Sequence, residues 1–322
     1  MIINSVFDGN HKIIRAKLLV INETVKCSDI WSDDESRFEL LDTVIRQLVL
    51  HITEKESLPI LRHIIMELRE NGSSRDTEML SIGALDVIVE HIIDLSDIQQ
   101  NDSHYLSNFI TCFISLLQRM SERDFIQLFE IRSHRQRKEL LCHIFAAFHA
   151  ILDHFPEQWL TMKMTINNVI LCALQELCAI MSRDFLGSNF DMIVWRSFFS
   201  LAITFLTQRR LQLESVSVLK QQSIVETYGD MRVLMGFQLV SCWGQLGASK
   251  IGFIPSLVPP FLEVTLVPEP DLRKATIPIF YDMIDVEFNA NGNFKQVSVI
   301  PSPRLLAKFS FYYRSSALLS TN

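Results

Sequence analysis

The sequence predicts an all-α protein assembled from antiparallel helix pairs stacked one after another. Three observations predict it. Apolar residues recur at helical spacing along most of the chain, and Leu140, Leu141, Ile144, Phe145, Phe148, Ile151, Leu152 and Phe155 fall on one stripe. Turn formers are scarce, with ten glycines and ten prolines in 322 residues, too few for a β-sandwich of this length. No stretch alternates apolar and polar residues for long enough to build a sheet.

Taken in order, the expected helices cover 38–52, 57–70, 76–94, 102–119, 121–130, 134–154, 157–181, 190–207, 215–228, 230–247, 256–266 and 270–287. Ser57 ahead of Leu58 and Pro59 marks one start, because proline in a first turn gives up an N–H that has no partner there. Asp76 or Thr77 is expected to cap the third helix and Ser121 the fifth. Asn71-Gly72, Gly187, Gly229 and Gly247 mark stops. The 190–207 helix carries Phe190, Ile193, Val194, Phe198, Leu201 and Phe205 on one stripe, with Met192, Phe199, Ile203 and Leu206 flanking it. A helix apolar on most sides belongs between layers.

Six of the ten prolines lie between Pro255 and Pro278. Phe261, Leu262, Val264, Leu266 and Val267 interleave with them, so the segment is expected to be buried rather than an exposed polyproline ligand. Leu262, Leu266, Ile277 and Phe280 are the expected core there, with a kink at Pro278. Residues 1–37 form an N-terminal segment without an assignable element, 38–297 the helical region, and 298–322 a tail expected to be disordered. That tail has three basic residues, no acids, Pro301, Pro303 and the aromatic patch Phe309–Tyr313. Helix pairs of about 35 to 45 residues have the period of armadillo and HEAT arrays, so the expected architecture is an armadillo/HEAT-like right-handed solenoid. A two-part helical bundle is the alternative.

Composition limits the chemistry. Apolar residues make up 48% and charged residues 21%, a globular balance, and the net charge is -7 with bases and acids interleaved. That excludes the basic stripe of a nucleic-acid binder. The six cysteines (Cys27, Cys112, Cys142, Cys172, Cys178 and Cys242) include no CxxC pair and read as reduced, small apolar residues of a cytoplasmic protein. Asn4, Asp8 and His11 interrupt any signal peptide. The most apolar segment, 190–207, contains Asp191 and Arg196 and is too short to span a bilayer, so no transmembrane segment is expected.

His143, His149 and His154 share a helix without an acidic partner at a ligand offset and read as structural. No nucleophile elbow, P-loop or dinucleotide fingerprint occurs, and Gly244-Gln-Leu-Gly247 reads as a helix end. Asp33-Asp34 and Asp282 with Asp285 read as solvated faces. Arg132, His134, Arg135, Arg137 and Lys138 crowd a helix start, where the dipole disfavours cations by about 0.3–1 kcal/mol each. Either Glu130 and Glu139 offset them, the preferred reading, or an anionic partner or lipid headgroup does, so peripheral membrane contact stays open. No catalytic, cofactor-binding or metal-binding residue is assigned, and no cofactor is expected.

The C-terminal half carries an ordered series of motifs: FLTQ (Phe205–Gln208), LQLE (Leu211–Glu214), YGDMR (Tyr228–Arg232), GFQL (Gly236–Leu239) and KIGFIP (Lys250–Pro255). LEVTLVPEPDLRKATIPIFYDMI (Leu262–Ile284) and NGNFKQV (Asn291–Val297) follow. This series resembles the middle helical region of the dedicator-of-cytokinesis (DOCK) family of Rho-GTPase exchange factors. Its wording is nearest the subgroup linked to Rac and Rap. The resemblance implies a region lying between a lipid-binding C2-type domain and the exchange domain, which would begin beyond Val297. It therefore implies a non-enzymatic chain: a truncated or alternatively spliced product, or an incomplete gene model. Its partners would be the rest of a DOCK-type protein and regulatory adaptors, with a Rac-type GTPase reached only through the missing exchange domain. The alternative is a free-standing adaptor that binds a partner helix or peptide in a groove.

Overall fold

The computed structural model describes residues 11–27, 34–54, 56–97, 103–154, 160–293 and 295–298. Among the described residues there are fourteen α-helices, short 3-10 turns and no strand. The helices are α1 (His11–Val25), α2 (Asp34–Leu50), α3 (Ser57–Asn71), α4 (Ser74–Asp97), α5 (Ser103–Leu117), α6 (Glu122–Glu130) and α7 (His134–His154). After them come α8 (Leu160–Asp184), α9 (Met192–Thr207), α10 (Val218–Tyr228), α11 (Met231–Gln245), α12 (Val258–Thr265), α13 (Pro270–Asn291) and α14 (Lys295–Ser298). All twelve expected helices are present, with ends displaced by a few residues. The sequence reading left α1 unassigned, although Ile14, Leu18, Ile21 and Val25 are buried at spacings of four, three and four. The expected tail lies outside the described residues from 299 onward.

The chain divides into two compact units, Met1–Ile151 and Leu152–Asn322. In the first, α1 packs on α3, α2 on α4, α3 on α5 and α4 on α6. Helices α1 to α4 therefore each lie beside the one two places along, and α4 also packs on α5, which is how stacked helix pairs bury both flanks. Polar bonds record the register. Tyr105 of α5 donates to the Ile52 carbonyl at 3.3 Å and Arg119 to the Leu68 carbonyl at 2.7 Å. Both ends of α5 thus match α3 at a near-constant offset, so the two run parallel. The α2–α4 joint contains the buried ion pair of Arg37 with Asp76 at 2.8 Å, both side chains 2% exposed.

Asp76 does more than pair. Its carboxylate accepts from the Ser73 backbone N–H and hydroxyl, both at 2.8 Å, while Ser73 Oγ accepts from the Asp76 N–H at 3.3 Å. The cap of α4 is therefore Ser73, with Asp76 closing a capping box, rather than Asp76 or Thr77 acting as cap. Ser121 caps α6 as expected, and Asp124 completes its box. Ser133 and Gln136 repeat the arrangement at α7.

In the second unit α8 packs on α11, α9 on α12, and α11 and α12 on α13. Between α9, α11 and α12 lies an aromatic cluster: the Phe199 ring is 5.9 Å from Trp243, 5.6 Å from Phe253 and 5.9 Å from Phe261. Ile193, expected on the inner stripe of α9, is 58% exposed, because it sits in the first turn on the outer side. Among the described residues one helix, α8, is long and apolar enough to cross a membrane, and 67% of its apolar window is buried inside the protein.

Packing around α12 and α13 departs from expectation. Phe261 and Val264 of α12, then Val267, are buried, as are Leu272, Thr276, Ile279 and Met283 of α13. Leu262, Leu266 and Phe280 are half-buried and Ile277 is exposed, so the expected core set lies at the edge of the core or outside it. The cause is a phase error: α12 and the first half of α13 carry apolar residues on both faces, and the stripe that packs lies about 100° round the axis. Pro278 lies within α13, which continues through it. Phe261→Ala should destabilise the chain by about 3–5 kcal/mol and Leu266→Ala by less than about 2 kcal/mol in urea unfolding. Equal losses would contradict this assignment.

Candidate functional site

The residues that carry chemistry are dispersed. His143 is exposed and His149 and His154 are half-buried, with burial holding His154 below the usual histidine range. Among the described residues no three His, Cys, Asp or Glu side chains cluster closely enough to hold a metal. Cys112, Cys178 and Cys242 are buried, Cys142 is half-buried, and Cys27 and Cys172 are exposed. Burial pushes the Cys112 thiol up to about 12, which leaves it without thiolate character.

The basic cluster is absorbed by the fold. Arg132 pairs with Asp86 at 2.6 Å and reaches the Leu128 carbonyl. Arg137 donates to the carbonyls of Phe129 at 2.8 Å and Arg132 at 2.9 Å, so it closes the C-terminus of α6. Arg135 pairs with Glu139 at 2.8 Å. These contacts satisfy cations that looked repelled by the α7 dipole, in keeping with the offset by neighbouring groups. Asp282 is not merely a solvated acid, since it accepts from Trp243 Nε1 at 2.6 Å and pairs with Lys250 at 2.9 Å.

The motif series converges on the joints of the second unit. Arg232, 2% exposed, pairs with Asp230 at 2.7 Å and with Glu214 at 2.9 Å, which ties YGDMR to LQLE. Asp230 also accepts from the Arg232 N–H and caps α11. Gly229 separates α10 from α11 with φ 71°, where a side chain would be strained. Tyr228 shares a hydrogen bond with Thr165 of α8 at 3.0 Å. A Cβ on Gly236 would collide with Leu272 Cδ1, so the glycine of GFQL admits the DLR segment of α13. Glu269 caps α13 by accepting from the Leu272 N–H. Glu287, fully buried, accepts from the backbone N–H of Gln296 and of Val297, each at 2.7 Å, and so fastens NGNFKQV beneath α13.

Among the described residues a concave surface lies in the first unit, between α2 and α4. Phe38, Ile45, Val49 and Leu50 of α2 and Met79 and Ile82 of α4 line a groove of about 690 Å³. Asp42, Arg46, Arg75 and Glu78 edge it. Arg75 lies over the Phe38 ring at 3.9 Å, and Asp42 and Arg46 pair at 2.9 Å. Nothing in the groove resembles a nucleophile with a base. Its chemistry suits an apolar side chain of another helix or peptide. Sequence reasoning missed it because its walls come from helices some 40 residues apart.

Stacked helix pairs whose polar residues are used for caps and joints define a helical-repeat region. A family model described as the dedicator of cytokinesis (DOCK) TPR region matches residues 2–302. Human dedicator of cytokinesis protein 4 is 36% identical over 300 residues, covering 87% of this chain and 15% of that protein. Human dedicator of cytokinesis protein 3 is 35% identical over 304 residues, with the same coverage. The chain belongs to the dedicator of cytokinesis family, and it spans only 15% of the length of these relatives. The family's description names TPR units, whose element is likewise an antiparallel helix pair, where the sequence period pointed to armadillo and HEAT arrays.

Glu287→Ala would leave the Gln296 and Val297 N–H groups without their acceptor. It should lower stability by about 1–3 kcal/mol and raise amide exchange at 295–298. Unchanged exchange there would show that Glu287 does not hold the segment.

Proposed function

We propose that this chain is the helical scaffold segment of a DOCK-type guanine nucleotide exchange factor in Rac-type small-GTPase signalling, working in the cytoplasm without catalysing exchange itself. The supporting observation is how the motif series is used. Arg232, Asp230, Glu214, Glu269, Glu287 and Gly236 serve caps, ion pairs and close approaches inside one unit. None is presented in a pocket with a second reactive group. A stiff array of this kind sets the distance and orientation between other modules of a longer polypeptide and offers surfaces to regulatory adaptors. Rac-type GTPases would be engaged by an exchange domain outside this segment.

The α2–α4 groove favours a second reading, an adaptor that seats a partner helix. Leu50→Asp, at a residue 69% exposed, would then abolish peptide capture while leaving the melting temperature unchanged.

The test of the main reading is release of a fluorescent guanine nucleotide from Rac in the presence of micromolar chain. The rate should equal that of Rac alone. Acceleration would overturn the scaffold reading and require a reactive surface on this segment.

A further inference from the structure

The chain turns back on itself at the end of α13 and heads along an uncovered apolar flank. Gly292, at φ 67°, ends the helix in the left-handed region. Gln296 and Val297 then donate their N–H groups to Glu287, and Val297 is buried beside it. Residue 297 therefore lies level with the last turns of α13, and the chain has reversed direction. On α13 itself, Ile277, Phe280, Tyr281, Ile284 and Phe288 fall within an arc of about 100°. Ile277 is 39% exposed, Tyr281 63% and Phe288 54%, while Phe280 and Ile284 are half-buried. This arc lies next to the packed stripe of Leu272, Ile279 and Met283 and away from Asp282, which reaches Trp243 of α11. It is the flank on which a further helix of the stack would sit.

Residues 299–322 suit that flank in pattern, length and charge. Pro301 and Pro303 break any helix running through them. Yet Ser302 followed by Pro303 is also the signature of a helix start, with serine as N-cap and proline in the first turn. Counted from Pro303 at about 100° per residue, Leu305, Leu306, Phe309, Tyr312 and Tyr313 share an arc of about 120°. A helix over 303–314 is about 18 Å long, and Ile277 to Phe288 span about 16 Å. The segment carries Arg304, Lys308 and Arg314 and no acid, whereas residues 275–293 carry Asp282, Asp285 and Glu287 and no base. Of these three acids Asp285 is the exposed one.

We propose that residues 303–314 form a helix that docks antiparallel on this flank of α13 and closes the end of the stack. Arg304 and Lys308 then lie beside Asp285, and Phe309 and Tyr312 cover Tyr281 and Ile277. The opposite direction would carry the two bases toward Arg273 and Lys274, where Asp271 offsets only one of them, so charge selects the antiparallel docking. The connection makes the contact intramolecular. Only residues 298–302 separate the anchored Val297 from Pro303, which holds the helix at a high effective concentration over the flank. A terminal unit of a helical stack needs such a cover, because its last helix has no neighbour on the outer side.

Amide hydrogen exchange of the full chain, read by mass spectrometry at low and at hundredfold higher protein concentration, tests this. Amides of 305–314 should exchange at least about tenfold more slowly than in an isolated 299–322 peptide, and equally at both concentrations. Tyr281→Ser and Asp285→Lys should each speed exchange there by about threefold or more. Asp285→Lys combined with Arg304→Asp and Lys308→Asp should bring it back to within about twofold. Circular dichroism and the exchange of α11 and α12, unchanged in these surface variants, separate undocking from unfolding. Peptide-like exchange at 305–314 would overturn the proposal, as would protection that the changes at 281 and 285 leave alone. So would a triple exchange that fails to rescue. Protection present only at the higher concentration would assign the flank to another copy of the chain, and the proposal would fall.

Discussion

A helix with apolar residues on two flanks cannot be satisfied by one neighbour, and every other feature of this chain follows from that constraint. Helices α1 to α4 each settle beside the helix two places along, α8 and α9 beside the one three along, and the contacts that fix how far one slides along the next are polar. Arg37 with Asp76 does this for α2 and α4, and Trp243 with Asp282 for α11 and α13. Apolar packing alone tolerates a shift by one turn at modest cost, because Leu, Ile and Phe substitute for one another in the same gap. A buried guanidinium does not, since a shift of a turn would strand it in a low-dielectric joint.

That division of labour explains what the motif series is for. Its polar letters are the joints: the glutamate of LQLE and the arginine of YGDMR are partners, and the acid that caps α13 precedes the leucine which GFQL accommodates. A motif of this kind identifies a family through its architecture.

How much was legible depended on the width of the apolar stripe. The α7 stripe is narrow and bounded by charge, and all seven of its described members are buried. Around α12 and α13 apolar residues occupy both faces, so periodicity gives the helices but not their rotation, and Leu266 and Ile277 were placed inside when Val267 and Ile279 are. The first helix escaped because Lys12, Arg15 and Lys17 break its run, although Ile14, Leu18, Ile21 and Val25 keep the spacing. Ion pairs between distant residues, such as Arg37 with Asp76, leave no local trace in a sequence. The α2–α4 groove was hidden for the same reason.

The repeated boxes at Ser73, Ser121 and Ser133 have a consequence for how such a chain tolerates change. Each closes the start of its helix between the serine just ahead of it and a residue three positions on, using no atom from further back in the connection. A helix that carries its own beginning does not need its linker to have a fixed length or composition, and lengthening a surface connection costs little entropy. The connection ahead of α4 has that freedom, whereas those ahead of α6 and α7 supply Arg119 to the Leu68 carbonyl and Arg132 to Asp86. Between α11 and α12 the connection itself supplies Phe253 to the aromatic cluster and Lys250 to Asp282, so that stretch has no such freedom.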